Sequence, residues 1–506
     1  MKNALLKGTL LLTFAGLVTR ILGFYYRICL ADALGAEYLG IYQLVFPVYG
    51  ICYTLYASGI QTAVSKLVAE ENSRGNVSLV SCLMRRALLL AFGIALLLSF
   101  LVYFGATPCA RYFLMEERAA DSLRVLSVVF PFCAVTACIN GYYYGKKKTA
   151  VPAFTQLLEQ VVRIAVVLFL VTLPTYSTER ERCLAAVIGL VVGEVASNLF
   201  NCAAYFIHIK KGAPSPSRCG SQAITSRLLS LSVPLSLNRL VINILHSTEA
   251  VFVPSMLRLS GLSVSEALSL YGILNGMALP FILFPSAIPN ALSVLLLPAV
   301  SENLDEKNRP RLQKCVGASV KYSMIIGLFS TAVFLFFGAG IGNAVFHDSL
   351  AGEYLRILSP LCPLLYLSTT LGSVINGFGK PHLTFFTTVA GLLVRLAFIV
   401  FLVPHTGIYG YLLGLLVSQL ISTLWEAYLV IKYCKAFPPV SEWLVLPAVF
   451  AFALAPCCVC LYRFLQKETG LPSAMLLFGI CGMFCLCYLL LLYVTKIIRR
   501  DELQDS

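Results

Sequence analysis

Apolar residues fill long stretches of this chain from end to end, and short polar connectors separate them. A helix needs about 20 mostly apolar residues to cross a hydrocarbon core of about 30 Å. Marking the apolar stretches between turn signals predicts about fourteen helices of this length. Their approximate limits are residues 8–31, 39–67, 83–105, 122–144, 149–173, 183–209, 224–253, 266–298, 316–340, 354–378, 382–403, 407–433, 441–464 and 472–497.

Composition supports the same class. Hydrophobic residues make up 58% of the 506 positions and charged residues only 12%, too few to cover a soluble domain of this size. The connectors are also too short to fold independently. The sequence therefore predicts an all-α polytopic membrane protein with no separate soluble domain.

The formal charge of +14 is spread over alternate connectors rather than gathered on one surface. This distribution argues against nucleic-acid binding and is typical of a topology signal. One set of connectors and both tails hold roughly 23 Lys and Arg residues, against roughly 7 in the other set, so we predict that both termini face the cytoplasm. The richer set includes Arg74, Lys146-Lys147-Lys148, Lys210-Lys211, residues 307–321 and Arg499-Arg500.

The motifs of enzymes and metal sites do not occur. Most of the eighteen cysteines lie scattered in apolar stretches, where a thiol behaves as a small hydrophobic group, and the cluster Cys457-Cys458-Val459-Cys460 has no histidine nearby. The chain has no phosphate-binding loop, no zinc-protease motif and no serine-hydrolase motif. We predict a protein that is not an enzyme and that needs no metal and no cofactor.

Two segments of the chain resemble each other. Ile139–Ile164 and Ile375–Leu396 both contain Asn-Gly at a helix end, then Gly-Lys, then an arginine within the next helix, Arg163 or Arg395. Thr19-Arg20 in the first stretch likewise corresponds to Asn238-Arg239 in the seventh. The repeat predicts two six-helix lobes, residues 1–212 and 213–437, followed by two further helices and a cytoplasmic tail in residues 438–506.

Arginines inside apolar stretches are the strongest functional signal. Arg20 and Arg27 are seven residues apart, almost two helical turns, so both project from one face. An arginine facing lipid near the bilayer centre costs from about 3 to more than 10 kcal/mol, so these side chains should face protein or water. Guanidinium groups in a cavity attract anions, and their planar geometry suits phosphate or pyrophosphate. The predicted pyrophosphate ligands are Arg20, Arg239, Arg395, Arg163 and Arg27.

Several of these residues also fit a structural role. Glu159 and Arg163 are spaced i, i+4 and could neutralise each other, while Arg27 could extend to lipid headgroups. His246 and Glu249 are spaced i, i+3 and could either carry a coupling proton or form a packing contact. Glu159 could likewise have a coupling role or a structural role. No carboxylate lies within one helical turn of Arg20 or Arg239 in the sequence, which makes these two the better ligand candidates.

Leu5–Gly35 and Gly59–Asn76 closely resemble the stage V sporulation protein B group of polysaccharide biosynthesis proteins. This group belongs to the multidrug, oligosaccharidyl-lipid and polysaccharide exporter superfamily, which includes the lipid II flippases. The similarity continues more loosely through Phe284-Pro285-Ser286 and Leu295–Glu302. It implies two six-helix lobes in a V shape, with the last two helices forming a groove for a polyprenyl tail.

The resemblance also implies a position for the site. Arg20 corresponds to an essential cavity arginine of the lipid II flippases, within the motif Thr19–Phe24. Two other features of the flippases are not found in this sequence. The flippases have an arginine four residues before Phe-Pro-Ser, where this sequence has Pro280. They also have an acidic residue early in the second helix, at a position that corresponds to a site near Gly40 here.

Together these features predict a flippase of the bacterial cell membrane. It would move an undecaprenyl-pyrophosphate-linked sugar, lipid II or a related cell-wall or spore-cortex precursor, from the inner to the outer leaflet by alternating access. Its partners would be that lipid, membrane lipids and other wall-synthesis proteins. One alternative is an ion-coupled multidrug antiporter of the same superfamily, which would favour carboxylates in its cavity. Another is a non-transporting scaffold of a wall-synthesis complex, in which cavity arginines would be replaceable.

Overall fold

The computed structural model describes residues 2–210, 221–302, 309–435, 441–468 and 472–497. Within these ranges the regular structure is helical and contains no strand. The helices are α1 Lys2–Tyr53, α2 Gly59–Ser73, α3 Val77–Phe104, α4 Ala106–Pro108, α5 Ala120–Ser127, α6 Phe130–Gly145, α7 Ala150–Thr172, α8 Glu179–Lys210, α9 Ser221–Leu259, α10 Val264–Gly272, α11 Leu279–Leu283, α12 Ala287–Glu302, α13 Arg309–Ile341, α14 Ser349–Ile357, α15 Leu361–Gly377, α16 Pro381–Phe401, α17 Val403–Thr406, α18 Ile408–Cys434, α19 Leu446–Glu468 and α20 Ser473–Val494. A π-helical segment, Thr54–Ser58, joins α1 to α2.

The prediction of an all-helical membrane protein is confirmed, but the count of fourteen spans is not. In the described residues, 11 helices are long and apolar enough to cross a membrane, or up to 13 if two bent pairs each form one span. The pairs Glu117–Ser127 with Phe130–Gly145 and Ser349–Ile357 with Leu361–Gly377 bend by 49° and 56°. The single stretch Ala15–Ser73 covers predicted segment 39–67 and most of predicted segment 8–31, which accounts for the difference between fourteen and the upper count of 13.

Gly35 interrupts α1 between these two predicted segments. Its φ of 67° and ψ of 172° are not helical, and glycine adopts a positive φ without the steric cost that a side chain brings. The chain therefore kinks here while helical hydrogen bonding continues on either side. The connector that the sequence places near residues 31–39 is a break inside one helix.

Contacts divide the chain into two compact units. Unit 1 comprises Met1–Ser255 and Val264–Gly272, and unit 2 comprises Met256–Ser263 and Ile273–Ser506. Most of α9 therefore packs within unit 1, although the repeat assigned it to the second lobe. The boundaries predicted at 212 and 437 lie outside the described residues, as do Lys211, Lys307 and Arg499-Arg500, and the lobe assignment remains a prediction.

The Asn-Gly repeat has the same local packing in both units. A side chain on Gly141 would meet the Gln61 carbonyl and Val64 of α2, and one on Gly377 would meet Val300 and the Leu297 carbonyl of α12. Small residues allow this close approach of helix backbones in membrane proteins. Each unit thus brings the helix that contains Asn-Gly, α6 or α15, against the helix two predicted spans earlier; Asn-Gly ends α15 but lies four residues before the end of α6.

The asparagines of the repeat each accept a hydrogen bond from a side chain, but the donors lie on helices that do not correspond. Asn140 Oδ1 accepts one from Asn201 of α8 at 3.3 Å in unit 1, and Asn376 Oδ1 accepts one from Thr384 of α16 at 3.0 Å in unit 2. The shared packing of the two glycines therefore does not extend to the hydrogen bonds of the asparagines.

The core of unit 2 lies among α12, α13, α15 and α18. The fully buried side chains of Val300, Val320, Leu371 and Val374 belong to it. At the end of the chain, α20 packs on α13, and the Lys321 ammonium donates to the Ile497 carbonyl at 2.9 Å. The last described helix is therefore fixed to unit 2 at its C-terminal end.

Candidate functional site

Arg163 and two carboxylates form the centre of a polar cluster inside unit 1. The Arg163 guanidinium donates to Glu159 on the same helix, with 18% and 22% of the two side chains exposed. Glu194 of α8 lies close enough to interact with Glu159, Arg163 and the Cys133 thiol. The Arg163 Nε is buried and has no hydrogen-bond partner among the described residues. Buried donors are normally satisfied, so this atom points to a water or ligand at the cluster.

Two buried tyrosines connect Arg163 with Arg27. Tyr26 and Tyr42 are each 5% exposed, and both interact electrostatically with the two guanidinium groups. The Arg27 side chain itself is exposed. The structure therefore brings two of the five predicted arginines to the same pair of tyrosine hydroxyls.

A face of tyrosines extends this cluster along α1 and the π-helical segment. Tyr42, Tyr49, Tyr53 and Tyr56 are spaced by seven, four and three residues, which places them on one side of a helix. Neighbouring rings of Tyr49, Tyr53 and Tyr56 have centroids 5.8 Å apart. Tyr53 also interacts with Glu159, Glu194 and Arg239.

The sequence analysis missed this face, although the helical spacing of its tyrosines was visible. The apolar residues between them made the stretch resemble an ordinary membrane helix.

Arg239 lies on α9 and bonds the π-helical segment. Its guanidinium donates to the Ser58 carbonyl at 3.0 Å and to the Ser58 hydroxyl. One turn further along, Asn243 donates to the Gly50 carbonyl at 3.2 Å and to the Thr54 hydroxyl. A π-helical turn disturbs regular backbone pairing, and the polar side chains of α9 supply partners at that point. In this structure Arg239 is therefore part of a polar contact between two helices.

A cluster of charges joins the start of α9 to the end of α2. Arg227 contacts Glu70 at 2.7 Å and Glu71 at 2.8 Å, and Arg74 contacts the same two carboxylates at 2.9 and 3.3 Å. Asn76 donates to Glu71 at 3.0 Å. Because several bonds share two carboxylates, this cluster fixes α9 against α2 more firmly than a single exposed ion pair would.

The remaining predicted residues lie apart from the tyrosine pair or have other described contacts. Arg20 is exposed on α1, one turn before Gly23, whose Cα faces Gln160 of α7. His246 Nδ1 lies 3.5 Å from the buried Glu249, a distance that is compatible with both roles predicted for the pair. Arg395 belongs to unit 2, where its Nε donates to Ser418 at 3.1 Å. Its placement in a common site with the other arginines remains a prediction.

Unit 2 contains a buried carboxyl that is not among the predicted site residues. Glu426 of α18 is 5% exposed and accepts a hydrogen bond from Ser368 at 2.6 Å. Thr387 lies 3.3 Å from its other oxygen. Across the described ranges, no group of three His, Cys, Asp or Glu side chains is arranged to hold a metal ion.

A family model described as polysaccharide biosynthesis protein matches residues 5–304, and a model described as MatE matches residues 244–401. Stage V sporulation protein B of Bacillus subtilis is 28% identical over 511 residues, covering 99% of this chain and 98% of that protein. Lipid II flippase MurJ of Bacillus subtilis is 21% identical over 463 residues, covering 85% of this chain and 83% of that protein.

Among solved structures, lipid II flippase MurJ in an inward closed conformation aligns with a TM-score of 0.70 at 16% identity. The alignment covers 97% of this chain and 100% of that one. The fold is therefore that of a multi-pass membrane transporter.

Proposed function

The chain belongs to the polysaccharide biosynthesis protein family, whose model matches more than half of it, and from this membership we propose that it is a flippase for a lipid-linked saccharide. The chain belongs to the exporter superfamily and is a membrane transporter, and one of the relatives that it matches is a lipid II flippase. The proposed substrate is a polyprenyl pyrophosphate carrying a sugar, such as lipid II or a related wall or spore-cortex precursor. It would move from the inner to the outer leaflet by alternating access.

One observation carries this proposal. Arg27 and Arg163 both lie near the buried pair Tyr26 and Tyr42, and Arg163 keeps one donor without a partner among the described residues. A drug antiporter for cations would need an excess of carboxylates at such a place, whereas here the guanidinium groups of Arg27 and Arg163 equal in number the carboxylates of Glu159 and Glu194. The arrangement fits an anionic headgroup, and pyrophosphate is the anion of lipid-linked sugars.

The neighbouring side chains have roles in the same proposal. The tyrosine face offers aromatic rings and hydroxyl groups to a saccharide, since sugars present both apolar faces and hydroxyls. Arg239 would alternate between Ser58 and the pyrophosphate, while Arg20 and Arg395 would assist as further ligands. Both termini would lie in the cytoplasm, where wall-synthesis proteins could deliver the substrate.

Flipping of a fluorescent polyprenyl-pyrophosphate saccharide in proteoliposomes tests the proposal. Arg27→Gln and Arg163→Gln should each lower the rate by roughly tenfold or more, because a hydrogen bond to a charged group contributes about 1.5–3 kcal/mol. Arg124→Gln is the matched control, because Arg124 is exposed and pairs with Asp121 on its own helix at 2.9 Å. Wild-type rates in both cluster variants would overturn the assignment of the site.

Two further measurements separate the alternatives. Arg20→Ala should abolish complementation of a flippase-deficient strain at normal expression levels. Efflux of cationic dyes by the wild-type protein, without lipid flipping, would instead favour the antiporter. Full complementation by every arginine variant would favour the scaffold.

A further inference from the structure

Glu426 lies where α18 packs against α15 and α16 inside unit 2. Ser368 of α15 donates to one carboxyl oxygen at 2.6 Å, and the Thr387 hydroxyl of α16 lies 3.3 Å from the other. One turn away, a side chain on Gly391 would collide with the Ser422 hydroxyl, so α16 and α18 approach closely at this level. The carboxyl is thus enclosed by helices and contacts only hydroxyl groups among the described residues.

The charged and titratable groups of the packed helices have other described contacts or lie elsewhere. Lys321 of α13 donates to the Ile497 carbonyl, and Tyr366 of α15 donates to the Ile282 carbonyl. Arg395 of α16 donates to Ser418, two turns before Glu426 along α18. His382 is exposed at the start of α16, and His405 precedes the first residue of α18. No described cation therefore contacts Glu426, and an ionised carboxyl here would be buried without a counter-charge.

The two hydroxyl groups beside Glu426 are compatible with a proton on its carboxyl. The Thr387 hydroxyl also has the Thr384 carbonyl as an acceptor at 3.0 Å, so it can either donate to Glu426 or accept from a protonated carboxyl. Ser368 donates to the other carboxyl oxygen in both cases. Two neutral hydroxyl groups do not replace the counter-charge that an ionised carboxyl would lack here, which favours the neutral acid.

The repeat places a second glutamate at the corresponding position of unit 1. Glu194 and Glu426 are 232 residues apart, as are Arg163 and Arg395. Glu194 interacts with Cys133 of α6 and Glu159 of α7, and Glu426 contacts the corresponding helices α15 and α16. The surroundings differ, because Glu194 has Arg163 beside it and Glu426 contacts neutral groups.

We propose that Glu426 is a proton-binding site of unit 2, occupied in this conformation and emptied when α15, α16 and α18 move apart. This inference rests on the proposed flippase function: the release of this proton couples the transport of the lipid-linked saccharide to the proton gradient. Separation of the helices admits water to the carboxyl, which can then ionise, and the return of the proton restores the closely packed arrangement.

Infrared spectroscopy of the full-length protein in lipid nanodiscs tests the site without any transport assay. The spectrum of the wild type minus that of Glu426→Gln should contain the carbonyl band of a protonated carboxylic acid at neutral pH. Glutamine keeps the shape, accepts from Ser368 and donates to Thr387, so this variant should fold. Glu353→Gln is the control, because Glu353 accepts from Tyr409 at an exposed position. A carboxylate band in place of the acid band would overturn the proposal.

A transport measurement tests the coupling. With the wild type, the ratio of lipid-linked saccharide between the two leaflets should change by about tenfold for each unit of pH difference across the membrane. One proton that crosses a difference of one pH unit supplies about 1.4 kcal/mol. Glu426→Gln should lose this dependence, and a dependence equal to that of the wild type would refute coupling through Glu426. An acid band in a protein that moves no lipid would support the proton site and refute the flippase function. Lipid flipping without the acid band would refute the proton site alone.

Discussion

Arg163 combines a structural contact with the binding role that we propose for it. Its guanidinium carries five N–H donors, and the bond to Glu159 uses only part of them. Glu159 therefore holds the side chain in place, while the buried Nε remains available to a ligand. The two roles that the i, i+4 spacing left open are compatible in this geometry.

Glu159→Gln should increase the affinity for a polyprenyl pyrophosphate. Removing the carboxylate leaves the positive charge of Arg163 without its partner, and a gain of about 1.4 kcal/mol corresponds to about tenfold in the dissociation constant. Native mass spectrometry of the lipid-bound protein would measure the change. Glu181→Gln is the control, since Glu181 is an exposed carboxylate bonded to Thr178. Weaker binding by Glu159→Gln would mean that the carboxylate itself contacts the substrate.

At the level of elements, the contact of α9 with the π-helical segment stands out because it is polar. Arg239 and Asn243 donate to backbone carbonyls of α1 and the π-helical segment, and Ser247 donates to the Pro47 carbonyl at 3.3 Å. Apolar side chains contact lipid about as favourably as they contact another helix. Hydrogen bonds and close packing therefore decide which helices associate in a membrane. Such bonds can be exchanged for water or ligand during a transport cycle.

Asn243→Ala should lower the stability of the folded protein in detergent by about 1 kcal/mol, since single polar contacts between membrane helices contribute this much. Its two bonds reach α1 and the π-helical segment, and the Gly50 carbonyl loses a partner. Thermal unfolding would measure the loss. Thr248→Ala on the same helix should have little effect, because Thr248 bonds the Ile244 carbonyl of its own helix. Equal unfolding temperatures for both variants would contradict the role of Asn243.

Gly141→Ala and Gly377→Ala should both reduce the yield of folded protein. The added methyl group would enter α2 in unit 1 and α12 in unit 2, and overpacking costs about 1–3 kcal/mol. Gly93→Ala is the control, because a side chain there meets nothing within 4 Å. Size-exclusion profiles of the three variants compare them directly. A normal profile for one repeat glycine alone would show that the two units do not share this packing requirement.

Over the whole molecule, two units with similar helix packing carry different chemistry. Unit 1 gathers Arg27, Arg163 and the tyrosine face, whereas unit 2 encloses Glu426 among hydroxyl groups. In the two proposals made above, the repeated helices provide one scaffold for the proposed anion site and for the proposed proton site. This division fits a transporter in which substrate binding and energy supply occupy different repeats.

The predicted topology can be tested with short epitope tags. A tag after Lys147 should be accessible only in permeabilised cells, and a tag after Ser177 should be accessible in intact cells, because positive connectors face the cytoplasm. Growth of a complementing strain would confirm that each tagged protein still folds. The opposite pattern would reverse the predicted orientation of the chain.

The sequence by itself determined the all-helical membrane class, because apolar length is a local property of the chain, and the spacing of Asn140-Gly141 and Asn376-Gly377 predicted two similar lobes. Tertiary structure decided what each polar residue contacts. The kink at Gly35, the contact of Arg239 with Ser58 and the hydroxyl groups around Glu426 depend on residues far apart in sequence or on backbone angles. Such partners meet only after the helices pack, so the hydrophobic pattern of the sequence does not predict these contacts.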